Sequence, residues 1–135
     1  MTDRFRVFLT CPLQSEDLGE AMRWHRGMAV QLAEYGIEVV SPPDIKYYAE
    51  SGESPCQADL DMLRTCHAVY SNLHKLSAGA IVEMYVAKYE VRIPVVTWCR
   101  IPDPSPFIAF CTTIFAASHE QVIGELVRLK TGTVK

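Results

Sequence analysis

Apolar and polar positions along this chain switch repeatedly between two spacings. Short β-rich runs alternate with longer stretches whose apolar residues recur three or four apart. Arg6-Val7-Phe8-Leu9-Thr10 reads as a first strand, with Cys11–Asp17 as the loop behind it. Leu18–Tyr35 has helical spacing through Met22, Met28, Leu32 and Tyr35, and Gly36 is a good helix stop. Ile37–Val40 is a second strand, ended by Ser41-Pro42-Pro43, and Asp44–Pro55 is a long polar loop. A short helix is predicted over Gln57–Thr65, a third strand over His67–Asn72 and a long helix over Ala78–Glu90. Pro94–Trp98 reads as the fourth strand, Arg100–Pro106 as a Pro-rich loop and Thr112–Phe115 as a short last strand. Ser118-His119-Glu120-Gln121 has the form of a capping box opening a final helix through Leu129.

Strand and helix in strict alternation predict an α/β fold. The expected architecture is a doubly wound, Rossmann-like or flavodoxin-like parallel sheet of about five strands with helices on both faces. At 135 residues, with no internal repeat or linker, residues 1–135 read as one domain. Ligands of such sheets bind beyond the carboxyl ends of the strands, where strand order reverses. That places Cys11–Asp17, Ser41–Pro55, Asn72–Ala78 and Cys99–Pro106 at the functional edge.

Composition narrows the function. A net charge of −3 argues against nucleic acid or an anionic membrane as partner. No apolar stretch is long enough to span a bilayer, and the N-terminus lacks a signal-peptide pattern. Five scattered cysteines without a Cys-x-x-Cys pair read as reduced thiols, so a cytoplasmic protein is expected. The first loop has no Gly-x-Gly-x-x-Gly and the chain has no Gly-Lys-Ser/Thr phosphate loop, so the usual marks of dinucleotide and ATP chemistry are missing. His25, His67, His74 and His119 lack metal-ligand spacing; no metal and no cofactor are expected.

The candidate chemistry lies in Ser77-Ala78-Gly79-Ala80-Ile81-Val82-Glu83. A carboxylate in the first turn of the helix behind a strand would sit in a favourable dipole field. Ser77 and Gly79 before it offer a small anion cradle with close backbone approach. Asp59-Leu60-Asp61, opening the preceding helix, supplies a second acid. Two carboxyls from neighbouring strand–helix units suit cleavage of a glycosidic bond. One traps the positive charge developing at C1′ as an ester; the other protonates the leaving group. Their pKa values must then be pushed apart.

These residues resemble the nucleoside 2-deoxyribosyltransferase superfamily. The resemblance rests on Ala58-Asp59-Leu60-Asp61-Met62-Leu63, the strand Ala68-Val69-Tyr70, and Ser77 through Ala87; Val7–Pro12 and Ile93–Val96 fit the same frame. It implies an enzyme in which Glu83 is the nucleophile at C1′ and Asp59 the acid for the leaving base. Serine at position 77, where the transferases carry an aspartate, is similar to the branch that hydrolyses 2′-deoxynucleoside 5′-monophosphates. There the hydroxyl would bind a phosphate without repelling it. Ser105 would reach a phosphate across a dimer interface, so a homodimer or larger homo-oligomer is implied. The substrate site would further include Gly79, Thr10, Cys11, Pro12, Asn72 and Tyr47. The chain departs from that branch in its first loop, which has no arginine, and in His67 and Asn72, where relatives have acids.

Other readings stand beside these. Glu83 and Asp59 also fit ordinary helix-start acids. Asp61 competes with Asp59 and is assigned to helix electrostatics, Ser77 fits a helix cap, and Tyr47 and Tyr48 fit core cover. Base exchange between free deoxynucleosides and a non-catalytic nucleotide-binding module of the same fold remain as alternatives to hydrolysis.

Overall fold

The computed structural model describes residues 4–10, 18–40 and 55–133. Five strands make one all-parallel sheet: β1 (Phe5–Thr10), β2 (Ile37–Val40), β3 (Ala68–Leu73), β4 (Val95–Cys99) and β5 (Ile114–Phe115). Their order is β2-β1-β3-β4-β5. The order reverses between β1 and β3, which fixes the switch point of the doubly wound sheet there.

Among the described residues five α-helices connect or flank the strands: α1 (Leu18–Ala33), α2 (Pro55–Leu63), α3 (Ala78–Tyr85), α4 (Pro106–Phe110) and α5 (His119–Thr133). Alternation along the strands sorts side chains into two cores. Phe5, Val7 and Leu9 of β1, with Tyr70 and Val96, pack against Met28 and Leu32 of α1 and Val122, Ile123 and Leu126 of α5. Phe8, Val69, Leu73 and Val95 face the other way, against Leu63 of α2, Ala80 and Met84 of α3 and Ile108 of α4. Burying each such side chain stabilises the fold by about 1.5–3 kcal/mol.

The long helix expected over Ala78–Glu90 has two parts. It is α-helical to Tyr85 and then π-helical over Val86–Val91. Arg92, in the left-handed region at φ 66, ends it, and its N–H donates to the Ala87 carbonyl. The π segment puts Lys88 and Tyr89 over the end of α4. Lys88 Nζ donates to the carbonyls of Phe110 and Thr112, both at 2.9 Å, and the Tyr89 hydroxyl donates to Phe110 at 2.6 Å.

α4 falls where the sequence reads as irregular. Ser105 caps it, accepting from the Phe107 N–H at 3.2 Å, and Pro106 occupies its first turn. The capping box of α5 forms with one shift. Ser118 accepts from the Gln121 N–H at 3.1 Å, while the Gln121 side chain reaches back to the Ala117 N–H at 2.7 Å. Gly36, at φ 74, makes the turn between α1 and β2. Among the described residues no helix is long and apolar enough to cross a membrane.

Candidate active site

The carboxyl ends of β1 and β3 lie side by side, with Thr10 opposite Ser71 in the parallel register. Thr10 is the last residue of β1 and is 1% exposed. By alternation it shares the α2/α3 face with Phe8, as Ser71 does with Val69. Glu83 on α3 meets Thr10 there. The Thr10 hydroxyl donates to Glu83 Oε1 at 2.5 Å. Ser71 donates to Met84 Sδ at 3.1 Å.

Glu83 sits in the second turn of α3, not the first, because the helix starts at Ala78. The dipole field that favours an anion falls off within the first turn. Burial dominates instead and pushes the Glu83 carboxyl from 4.5 up to about 7. The Thr10 hydrogen bond works against that rise, and the negative charge of Asp59 adds to it. Asp59 likewise lies inside α2, past its first turn, since that helix begins at Pro55. It is half-buried and near enough to Glu83 for their charges to interact. Asp61 points elsewhere: it accepts from Gln57 Nε2 at 2.9 Å on the exposed surface of α2.

Ser77 is the N-cap of α3, with extended backbone at φ −141 and ψ 123. Its oxygen accepts from the Ala80 N–H at 3.3 Å, which leaves its own hydrogen to donate. Ser77 is 6% exposed. Gly79 is helical rather than left-handed, so no turn demands it. A Cβ built there would meet only the Ser77 oxygen, at 3.9 Å. Among the described residues, the start of α3 therefore has only the Ser77 hydroxyl near Gly79 on that side.

Asn72 belongs to the other face of the sheet, with Tyr70. Its side-chain oxygen accepts from Arg100 Nη2. Arg100 directly follows β4, lies 4.0 Å from the centre of the Trp98 ring and anchors its N–H on the Leu73 carbonyl at 2.8 Å. Sequence reading passed over Arg100. Its place immediately behind a strand, at the edge where ligands bind, was the available signal. Ser105 is spent in part on capping α4. Cys11, Pro12 and Tyr47 lie outside the described residues.

His67 has a structural role at the opposite end of the sheet. Its Nδ1 accepts from the Arg6 N–H at 2.9 Å, its own N–H donates to the Arg6 carbonyl at 2.7 Å, and its ring stacks on Phe5. An aspartate is not needed there to join β1 to β3. A hollow of 520 Å³ lies at that same amino end, between α1 and β2, lined by Ala29, Ala33, Gly36, Ile37 and Glu38 among others. It contains neither Glu83 nor Asp59. Among the described residues no group of three His, Cys, Asp or Glu side chains is placed to hold a metal ion.

No family model and no curated protein matches the sequence. Solved structures do match the fold. The chain is similar to a 2-desoxiribosyltransferase from Leishmania mexicana, with a TM-score of 0.68 at 14% identity, covering 92% of this chain and 97% of that one. It is also similar to the CMP N-glycosidase BcmB from Clostridium botulinum, with a TM-score of 0.58 at 14% identity, covering 90% and 97%. The fold of this chain is thus the fold on which both of those enzymes are built.

Proposed function

We propose that this protein is an N-glycosidase cleaving the base–sugar bond of a nucleoside 5′-monophosphate. The observation that carries this reading is the pairing of Glu83 with Thr10 beside Asp59 at the switch point of the sheet. A carboxylate held by one oxygen keeps the other for attack.

In the first half-reaction Glu83 Oε2 forms a bond to C1′ as the C1′–N bond breaks. The electron pair of that bond goes to the base nitrogen, and Asp59, which in the reacting form carries the proton while Glu83 is ionised, supplies it. In the second, water bonds to C1′ as the C1′–Oε2 ester bond breaks; the pair of that bond returns to Glu83, and the water's proton goes to the Asp59 carboxylate. Ser77 donates to a phosphate oxygen beside the start of α3, where Gly79 leaves room. The sequence resemblance and the two fold neighbours, one acting as a desoxiribosyltransferase and one on CMP, point the same way.

The protein is also read as a homo-oligomer. Val82, Tyr85, Phe107 and Phe110 are all at least 45% exposed, and Phe110 stacks on Tyr85 and Tyr89 beside α4. Cys56, Cys66, Cys99 and Cys111 are free thiols, which suits the cytoplasm.

Purified protein should release free base from one or more of the common ribo- and deoxyribonucleoside 5′-monophosphates, followed by chromatography, and Glu83→Ala should release none. A glycosyl adduct on Glu83, seen by mass spectrometry of the quenched reaction, would fix the covalent route. A new nucleoside formed on adding a second base would move the assignment to base exchange. Binding without any released base would make the protein a nucleotide-binding module.

A further inference from the structure

The geometry points to Thr10 as the positioning residue for Glu83, fixing which carboxylate oxygen attacks and holding the side chain ready as an anion. This rests on the glycosidase reading above but has a readout that does not depend on turnover.

Thr10 is suited to the task by where it stands. It is the last residue of β1, almost fully buried, and its backbone is locked in register against Ser71. A β-branched side chain on a strand has few rotamers, so its hydroxyl direction is set by the sheet. The donor therefore reaches Glu83 from a rigid element, not from a loop. Thr10, which the sequence resemblance places at the substrate site, donates its hydroxyl hydrogen to Oε1 of Glu83.

That bond acts at both chemical steps. While Glu83 is free, a hydroxyl donor favours the carboxylate over the acid. In the glycosyl ester, Oε2 carries C1′ and Oε1 becomes the carbonyl oxygen still facing Thr10. When water displaces the ester, the returning electron pair spreads over both oxygens, and Thr10 is already placed to receive the charge on Oε1. Burial of Glu83 makes such a donor necessary, because it drives the carboxyl towards its neutral form. Among the described residues the groups acting on Glu83 are Thr10 from β1 and the Asp59 charge from α2, which opposes ionisation. Ser71 of β3 is uncharged and engaged with Met84.

The test uses Thr10→Val, which keeps the shape and removes the donor, and Thr10→Ser, which keeps the donor. Thr10→Ala provides a second donor-free protein should the valine variant fail to fold. Two quantities are read. The first is the titration midpoint of Glu83 in the free protein, by NMR of carboxyl-labelled glutamate, assigned with Glu83→Gln. The second is the pH profile of base release. Thr10→Val should raise the midpoint by about one pH unit and move the acid limb of kcat/KM by the same amount. At pH 6 kcat should fall about tenfold, with KM within about twofold, and Thr10→Ser should restore both. An unchanged midpoint in both donor-free variants, or a serine variant no better than valine, overturns the inference. If the midpoint moves but wild-type protein releases no base from any nucleotide or nucleoside, the glycosidase reading falls and the Thr10–Glu83 link stands. If base is released and the midpoint does not move, the link alone falls.

Discussion

Replacing Glu83 by glutamine should abolish base release and, above pH 7, make the protein more stable. The carboxyl titrates near pH 7 in the folded chain against an ordinary 4.5. At roughly 1.36 kcal/mol per unit, holding it ionised in the native state costs on the order of 3 kcal/mol. The cost depends on pH in a definite direction. Below pH 4.5 the group is protonated in both folded and unfolded chains, so it contributes nothing. Between 4.5 and 7 the folded chain binds the extra proton, so stability falls as pH rises. Above 7 both states are ionised and the full penalty applies. Glutamine is always neutral, can accept the Thr10 hydroxyl at its carbonyl oxygen and carries no charge penalty. Urea unfolding of both proteins at pH 4, 6 and 8 isolates the effect of Glu83 and its coupling to Asp59, because titrating groups that do not interact with Glu83 cancel in the difference. The two should match at pH 4, and the variant should lead by about 2–3 kcal/mol at pH 8. That lead corresponds to roughly 6–10 °C in Tm for a chain of this length. A difference that does not change with pH, or a variant less stable than wild type at pH 8, would refute burial as the cause of the raised pKa.

Asp59→Asn should slow cleavage of substrates with poor leaving bases at least tenfold more than activated ones, because protonation helps a poor leaving group most; equal loss on both would make Asp59 a residue that orients substrate. Ser77→Ala should weaken monophosphate use by about 1.5–3 kcal/mol in kcat/KM and leave a matched free nucleoside nearly unchanged; equal effects on the two would remove the phosphate role. Some loss of stability, about 1 kcal/mol, should accompany it because Ser77 also caps α3. Lys88→Met should destabilise the protein by about 1–2 kcal/mol, read by urea unfolding, since the Phe110 carbonyl at the end of α4 and the Thr112 carbonyl just past it lose a charged donor; no loss would show that Tyr89 alone holds that corner.

Regular elements were legible because their periods differ. Helix α1 and strand β2 fall within two residues of where Met28, Leu32, Gly36 and the Ile37–Val40 run place them. Strand order is a tertiary property and was reached only as a class, a parallel doubly wound sheet. α4 was missed because five residues carry no period, although Ser105 followed by Pro106 is a helix-start signature. The positions of Glu83 and Asp59 within their helices were each misjudged by a turn, since helix starts shift with the capping residue. That small error matters physically: it exchanges a dipole explanation for a burial explanation. The Thr10–Glu83 contact spans 73 positions, and nothing in local sequence announces it. Arg100 was hidden in a loop whose prolines drew the reading, and His67 looked like a missing acid until its ring was seen joining two strands.

The π-helical turn of Val86–Val91 has a consequence for how this helix is phased. An α-helix advances by about 100° per residue, so a turn with one extra residue rotates everything beyond it by about that much. The helix thus works as two segments set at different angles on one shaft. Its first segment aims Glu83 at the end of β1, and its second aims Lys88 and Tyr89 at the last carbonyls of α4. Such an offset is what a single inserted residue produces, and shortening the helix by one residue within 86–91 would be the inverse operation. Glu83 and the α4 clasp are thereby mounted on one continuous element.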